Sequence, residues 1–170
     1  MNKSKYAIAL MACCIVAVAG CAGKTAGNTA QQTADEAKEI TFDADSAYSF
    51  VAHQCAFGER VPNTDAHSEC GDWIASRLRQ CGATVTEQRA DLKAFDGTLL
   101  HACNIVGEFY PEKKRRVLLV AHWDCRPWAD SDPNPDNRRK PVMGANDGAS
   151  GVGVLLEMAR LLKNNEPAVG

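Results

Sequence analysis

A short apolar run that ends in metal-type ligands, and a glycine-rich turn that opens an apolar helix, together constrain this chain most. Val117-Leu118-Leu119-Val120-Ala121 leads directly into His122-Trp123-Asp124. After a polar loop, Gly144-Ala145-Asn146-Asp147-Gly148-Ala149-Ser150-Gly151 opens the helical pattern Val152 to Leu162. An unbroken apolar run of this length predicts a strand buried on both faces, as in a parallel sheet. In such sheets, reacting groups collect just beyond the carboxyl ends of the strands. An imidazole and carboxylates placed there suit a borderline metal such as zinc. A catalytic zinc takes at least three protein ligands, so the site that these two clusters predict is half built.

His122 and Asp124 are two residues apart, so on an extended backbone their side chains share a face. There the Asp124 carboxylate can orient the imidazole and raise its basicity, which makes Asp124 the candidate catalytic partner of a metal-bound centre. His-x-Asp alone is equally well a histidine hydrogen-bonded at a strand end. Asp147 adds weight, because it lies where a loop becomes a helix, between glycines that allow close backbone approach. It can serve as an N-cap or as a metal ligand, and the helix N-terminus favours its anionic form in either role. A phosphate cradle fits less well: the run lacks a P-loop Lys-Ser/Thr ending, and nearby acids repel phosphate. His122 and Asp147 are therefore the candidate metal ligands.

Between the clusters, Arg126 to Asp136 holds three prolines and, with Asp124, four acids. This stiff acidic loop is either plain solvated surface or a wall for an amine-bearing substrate. In the second case Trp123 and Trp128 supply apolar surface, and Trp128 is the candidate substrate-binding residue. The basic runs Lys113 to Arg116 and Arg138 to Lys140 are read as solvated turn and loop.

The N-terminus carries a targeting pattern. Lys3 and Lys5 precede the apolar stretch Ala7 to Ala19, which is too short for a stable membrane span. It ends Val18-Ala19-Gly20-Cys21, similar to a bacterial lipobox, so Cys21 is the expected lipidation site. Residues 1–20 are read as a lipoprotein signal peptide and residues 21–41 as a flexible tether, rich in small and polar residues. The rest, 42–170, is read as a folded domain. These readings predict an exported lipoprotein, held on a membrane by its lipid and facing the periplasm or cell exterior. Of 170 residues, 24% are charged and 45% hydrophobic, as in ordinary globular domains. The net charge is −2, and loss of Lys3 and Lys5 takes it to −4, too mild to argue for nucleic acid. Past Cys21, five cysteines remain, an odd number that specifies no disulfide framework.

Within the domain, a short helix is expected from Asp43 to Gly58. A clearer one follows Thr64, with Ala66, Cys70, Trp73, Ile74, Leu78 and Cys81 at helical spacing and Gly82 just past its end. Ala83 to Ala90 and Thr98 to Val106 read as strands joined at the turn Asp96-Gly97. This order predicts an α/β layered domain, with a right-handed crossover to any parallel strand after Leu162.

These motifs resemble the zinc aminopeptidase and glutaminyl-peptide cyclotransferase superfamily. The resemblance rests on Val117 to Asp124, Gly144 to Gly151 and the helix Val154 to Leu162. Phe57-Gly58-Glu59-Arg60-Val61-Pro62 and Asn104-Ile105-Val106-Gly107 add weaker support. It implies a three-layer α/β/α sandwich with a mixed sheet, here the N-terminal part of one. It also implies that the residue at Asp147 binds zinc and that the one at His122 is a ligand in two-zinc members. The remaining ligands and a proton-shuttling Glu would belong to sequence beyond Gly170, so these residues alone are expected to be inactive. The implied activity is cyclisation of an N-terminal Gln to pyroglutamate on peptides or proteins, with one zinc. The alternatives are a two-zinc aminopeptidase and a non-catalytic lipoprotein binding domain.

Overall fold

The computed structural model describes residues 39–170. The signal peptide, the lipidation site Cys21 and most of the tether lie outside the described residues. Helix α1 (Ala44–Ala56) starts where Asp43 Oδ1 accepts a hydrogen bond from Ser46 N at 3.0 Å. Helix α2 (Asp65–Gln80) starts in the same way, with Thr64 Oγ1 accepting from His67 N at 3.2 Å. Each cap satisfies a backbone donor that the first helical turn leaves orphaned. Strands β1 (Thr84–Lys93) and β2 (Leu99–Glu108) pair antiparallel, in register from Thr84 opposite Glu108 to Lys93 opposite Leu99. The turn between them is closed by Asp96 Oδ1, which accepts from Thr98 N at 2.9 Å. A short 3-10 turn at Pro135–Asn137 precedes helix α3 (Ser150–Leu162). Among the described residues, no helix is long and apolar enough to cross a membrane.

The core is formed by Phe50 of α1, Cys70 and Ile74 of α2, and Val152 and Leu156 of α3, with Ile105 of β2 and Ala121 packed against it. Helix α2 packs on both strands and α1 on α3. The α/β class stands. Helix α3 is anchored to the start of α1 by Glu157, fully buried, whose Oε1 accepts from Asp43 N at 2.9 Å. Arg160 donates to both oxygens of Glu157, at 2.7 and 2.6 Å, which holds that carboxyl down at a pKa of about 2.

The run Val117 to Ala121 departs from expectation. It joins no ladder of strands, and Val117, Leu118, Leu119 and Val120 are 59%, 81%, 52% and 79% exposed. A strand buried on both faces needs a neighbour along each edge, and the described residues supply only one rung. Gly170 N donates to Arg115 O and Val117 N to Gly170 O, both at 2.9 Å, which is the bonding of a parallel pair. Beyond that rung an apolar groove of about 430 Å³ opens between β2 and the run, lined by Ile105, Val117, Leu119, Leu156 and Met158 among others. The sheet of the described residues is therefore two-stranded and antiparallel; the mixed sheet of the sequence reading is not formed within them.

Candidate active site

The end of the apolar run and the start of α3 meet, as the two sequence clusters predict. His122 Nε2 lies 3.0 Å from Asp147 Oδ1, although 25 residues separate them. On the other side of the ring, Nδ1 lies 3.2 Å from Asp124 O and 3.4 Å from Asp124 Oδ1. Both ring nitrogens thus face oxygens. A neutral imidazole carries one N–H, so donation to Asp124 leaves a lone pair at Nε2 aimed at a carboxylate oxygen. A proton on that nitrogen or a cation between the two groups relieves the conflict. Two ligands of a tetrahedral zinc, each about 2.0–2.1 Å from it, stand about 3.3 Å apart. The observed 3.0 Å is shorter and is the length of a hydrogen bond, and both side chains are more than half exposed and so accessible to a divalent ion. Among the described residues no group of three or more His, Cys, Asp or Glu is placed to hold a metal, so the pair fits as part of a ligand set. Arg126 Nε stands 3.8 Å from Asp147 Oδ2, while its Nη1 pairs with Asp130 Oδ1 at 2.8 Å.

Backbone shape explains why glycines flank Asp147. The segment Ala145–Ala149 is a wide helical turn broken at Asp147 (φ −84°, ψ 95°) and Gly148 (φ 104°, ψ −67°). A left-handed φ favours glycine. A Cβ at Gly148 would also lie 3.0 Å from Asp124 O and 3.1 Å from His122 Cε1. The kink lets α3 begin at Ser150 while the Asp147 carboxylate turns back to His122. No side-chain hydrogen bond caps this helix start, so the N-cap alternative for Asp147 is not what the chain adopts.

Trp123 faces the other way and corrects one expectation. Its ring stacks on His67 (3.9 Å between centroids, 15° between planes) and Nε1 donates to Cys103 O at 3.3 Å. Alternation along an extended backbone sends it to the face opposite His122 and Asp124. It is a packing residue, not a wall of the acidic loop. Burial pushes the His67 imidazole below its ordinary pKa, with the nearby Asp124 charge opposing. Trp128 is 47% exposed on the loop that follows, available as substrate surface.

Sequence reasoning missed the group beneath both loops. Arg60 is fully buried, and Cys125, also buried, lies against it. The Cys125 thiol is raised above its ordinary pKa by burial, so it behaves as packing rather than as a nucleophile. All five described cysteines are free thiols. The signal available in sequence was the position of Arg60 between Gly58 and Pro62, but burial of a charge leaves no mark on composition or periodicity.

Residues 104–169 match the sequence model of Peptidase family M28. The chain is similar to the Bacteroides thetaiotaomicron glutaminyl cyclase bound to N-acetylhistamine, at 55% identity and TM-score 0.76 over 77% of this chain and 45% of that one. It is similar to Tannerella forsythia glutaminyl cyclase, at 56% identity and TM-score 0.75 over 76% and 44%. A Zn-dependent exopeptidase from Parabacteroides distasonis matches at 55% identity and TM-score 0.76 over 77% and 45%. The chain thus spans less than half the length of these solved structures, and 36% and 30% of the two curated Escherichia coli proteins that it matches.

Proposed function

We propose that this chain, which belongs to the superfamily of zinc aminopeptidases and glutaminyl-peptide cyclotransferases, is part of a zinc-dependent glutaminyl-peptide cyclotransferase. The observation that carries the reading is the meeting of His122 and Asp147 at 3.0 Å beside the acidic, proline-stiffened loop Arg126 to Asp136. The similarity to two glutaminyl cyclases at more than half identity supports it.

In this reading Asp147 is a direct ligand of one zinc, which when bound polarises the γ-amide carbonyl of an N-terminal Gln. His122 neighbours the metal and steadies Asp147, while Asp124 fixes the ring from its Nδ1 side. The acidic loop and Trp128 receive the substrate's amino end, which reacts as the neutral amine and whose proton passes to the departing amide nitrogen. The α-amine attacks the γ-carbonyl carbon, the C–N bond to the amide nitrogen breaks, and ammonia leaves. The remaining ligands and the carboxyl group that moves the proton are assigned to sequence outside these 170 residues.

A second reading has its own support. The chain is similar to a Zn-dependent exopeptidase as well, and in a two-zinc aminopeptidase both His122 and Asp147 would hold metal. Product analysis on the full reading frame decides. A cyclotransferase removes ammonia, about 17 mass units, from Gln-initiated peptides and leaves peptide bonds intact, the outcome of acyl transfer to an internal amine. Free amino acids and shortened peptides, with no such product, would overturn the reading in favour of the aminopeptidase. Turnover of neither kind by a correctly folded, metal-loaded protein would leave the non-catalytic binding domain.

We also propose that Cys21 carries a lipid that holds the protein on a membrane facing the periplasm or cell exterior. The motivation is Val18-Ala19-Gly20-Cys21. Radiolabelled fatty acid should mark the expressed protein, and Cys21→Ser should abolish the label; a label that survives removes the proposal.

A further inference from the structure

We propose that Arg60 is a positioning residue that sets the spacing between the His122 and Asp147 loops, and through it the affinity for a divalent metal. The proposal rests on the reading of that pair as part of a metal site. Arg60 is fully buried, and among the described residues no carboxylate pairs with it. Its partners are backbone carbonyls. Nε donates to Trp123 O at 3.1 Å, Nη1 to Gln54 O at 3.2 Å and to Gly58 O at 3.1 Å, and Nη2 to Gly144 O at 2.9 Å. A buried cation is expensive unless its donors are met, and here four of the five N–H groups of the guanidinium are met by dipoles.

The identity of those carbonyls gives the group its role. Trp123 lies between His122 and Asp124, and Gly144 stands three residues before Asp147. One rigid, planar fork therefore holds the backbones of both loops. A second tie runs alongside. Cys125 N donates to Arg60 O at 3.0 Å, Arg60 N donates to Cys125 Sγ at 3.3 Å, and Cys125 Sγ donates to Met143 O at 3.3 Å. Space around the fork is closed: a Cβ at Gly144 (φ +64°) would lie 2.8 Å from Cys125 Sγ and 3.1 Å from Arg60 Nη2. No oxygen or nitrogen of Arg60 is bonded to His122 or Asp147 themselves. It acts through the backbones that carry them.

A lysine keeps the charge but offers a single ammonium with three donors and no fixed plane, so it cannot hold four carbonyls in the same directions. The test uses the full-length protein loaded with Co²⁺ and compares wild type, Arg60→Lys and Cys125→Ala, the last loosening the same cradle by a small deletion. The measurements are chelator competition for the metal, the visible absorption of the bound Co²⁺, the melting temperature, and kcat and KM. Loss of a group that orients metal ligands typically lowers metal affinity about 10–100-fold. Arg60→Lys is expected in that range, with a shifted Co²⁺ spectrum and lower kcat at nearly constant KM. Cys125→Ala is expected to lower metal affinity by about tenfold, the lower end of such effects, with a smaller shift of the Co²⁺ spectrum in the same direction. Wild-type affinity and spectrum in a folded Arg60→Lys, whatever its melting temperature, would overturn the proposal, because a merely structural role moves only stability. If Arg60→Lys does not fold, wild-type behaviour of Cys125→Ala overturns it equally. Wild-type protein that binds no metal overturns the metal reading, and this proposal with it; metal bound alike by all folded variants overturns this proposal alone.

Discussion

The Arg60 cradle under the His122 and Asp147 loops and the apolar run Val117 to Val120 differ in almost every respect. In the cradle a charged side chain, Arg60, is fully buried and its contacts are hydrogen bonds to carbonyls from three separate segments. In the run, four large apolar side chains from Val117 to Val120 stand exposed beside an open groove. Polarity alone would have placed them the other way round. What decides is the number of neighbours each segment finds within these residues. The cradle draws its partners from nearby loops that are all present. The run needs flanking strands, and only the rung to Gly170 is made. Hydrophobicity says what a segment gains from burial, whereas topology says whether a partner exists to bury it.

Four substitutions sharpen this contrast. The largest effect is expected for Arg60→Ala, which leaves the carbonyls of Gly58 and Trp123 without a donor and takes one of two donors from those of Gln54 and Gly144. At about 1–3 kcal/mol for each unsatisfied group, and with some relaxation, the loss exceeds about 3 kcal/mol and lowers the melting temperature by roughly 10 °C. Gly148→Ala comes next. It forces a side chain into a left-handed backbone and against Asp124 O and His122, so about 1–3 kcal/mol is lost and the imidazole moves. A histidine ring chemical shift for His122 that matches wild type would contradict the second part.

Glu157→Gln is expected to act through pH. The folded-state pKa of Glu157 is depressed to about 2, first by Arg160 and then by Asp43 N against the opposing burial. A depressed carboxyl contributes stability that is fully present above its unfolded value of about 4.3 and is lost as pH falls through the folded value. Wild type should therefore exceed Glu157→Gln near pH 7 and lose that lead between about pH 4.3 and pH 2. Denaturant unfolding at a series of pH values measures it, and a gap that stays constant to pH 2 would show that the ion pair contributes nothing. The smallest effect belongs to the exposed run. Leu118→Thr should change the stability of the 170-residue chain by no more than about 0.5 kcal/mol. In a longer protein that covers the run, the same change should cost about 2 kcal/mol, the scale for a buried leucine. Equal effects in both would mean that the run stays exposed.

The same contrast explains how much of the molecule could be read from its sequence. Helix α2 was legible because its apolar positions repeat at helical spacing and Thr64 and Gly82 mark its ends. The hairpin was legible at Asp96-Gly97, although its strands run two or three residues further than the alternation shows. The meeting of His122 with Asp147 followed from placing both at the same ends of neighbouring elements. Arg60 was not legible as a buried group, since its partners are carbonyls, which every residue has. The ties from Gln54 to Ala149 O and from Glu157 to Asp43 N were hidden for the same reason. Trp123 was misread because adjacency to His122 in sequence was taken for adjacency in the site, whereas an extended backbone sends neighbours to opposite faces. The kink at Asp147 and Gly148 was invisible, as glycine permits such a turn without requiring it.

The central claim is that Asp147 holds a catalytic zinc, beside a histidine delivered by the other loop. Anomalous diffraction at the zinc edge from crystals of the full-length protein tests this most directly. The account predicts a single peak within about 2.2 Å of an Asp147 carboxylate oxygen, the usual zinc–oxygen distance. An ordered Asp147 that faces His122 with no anomalous peak at its carboxylate, in crystals soaked with zinc, would contradict it.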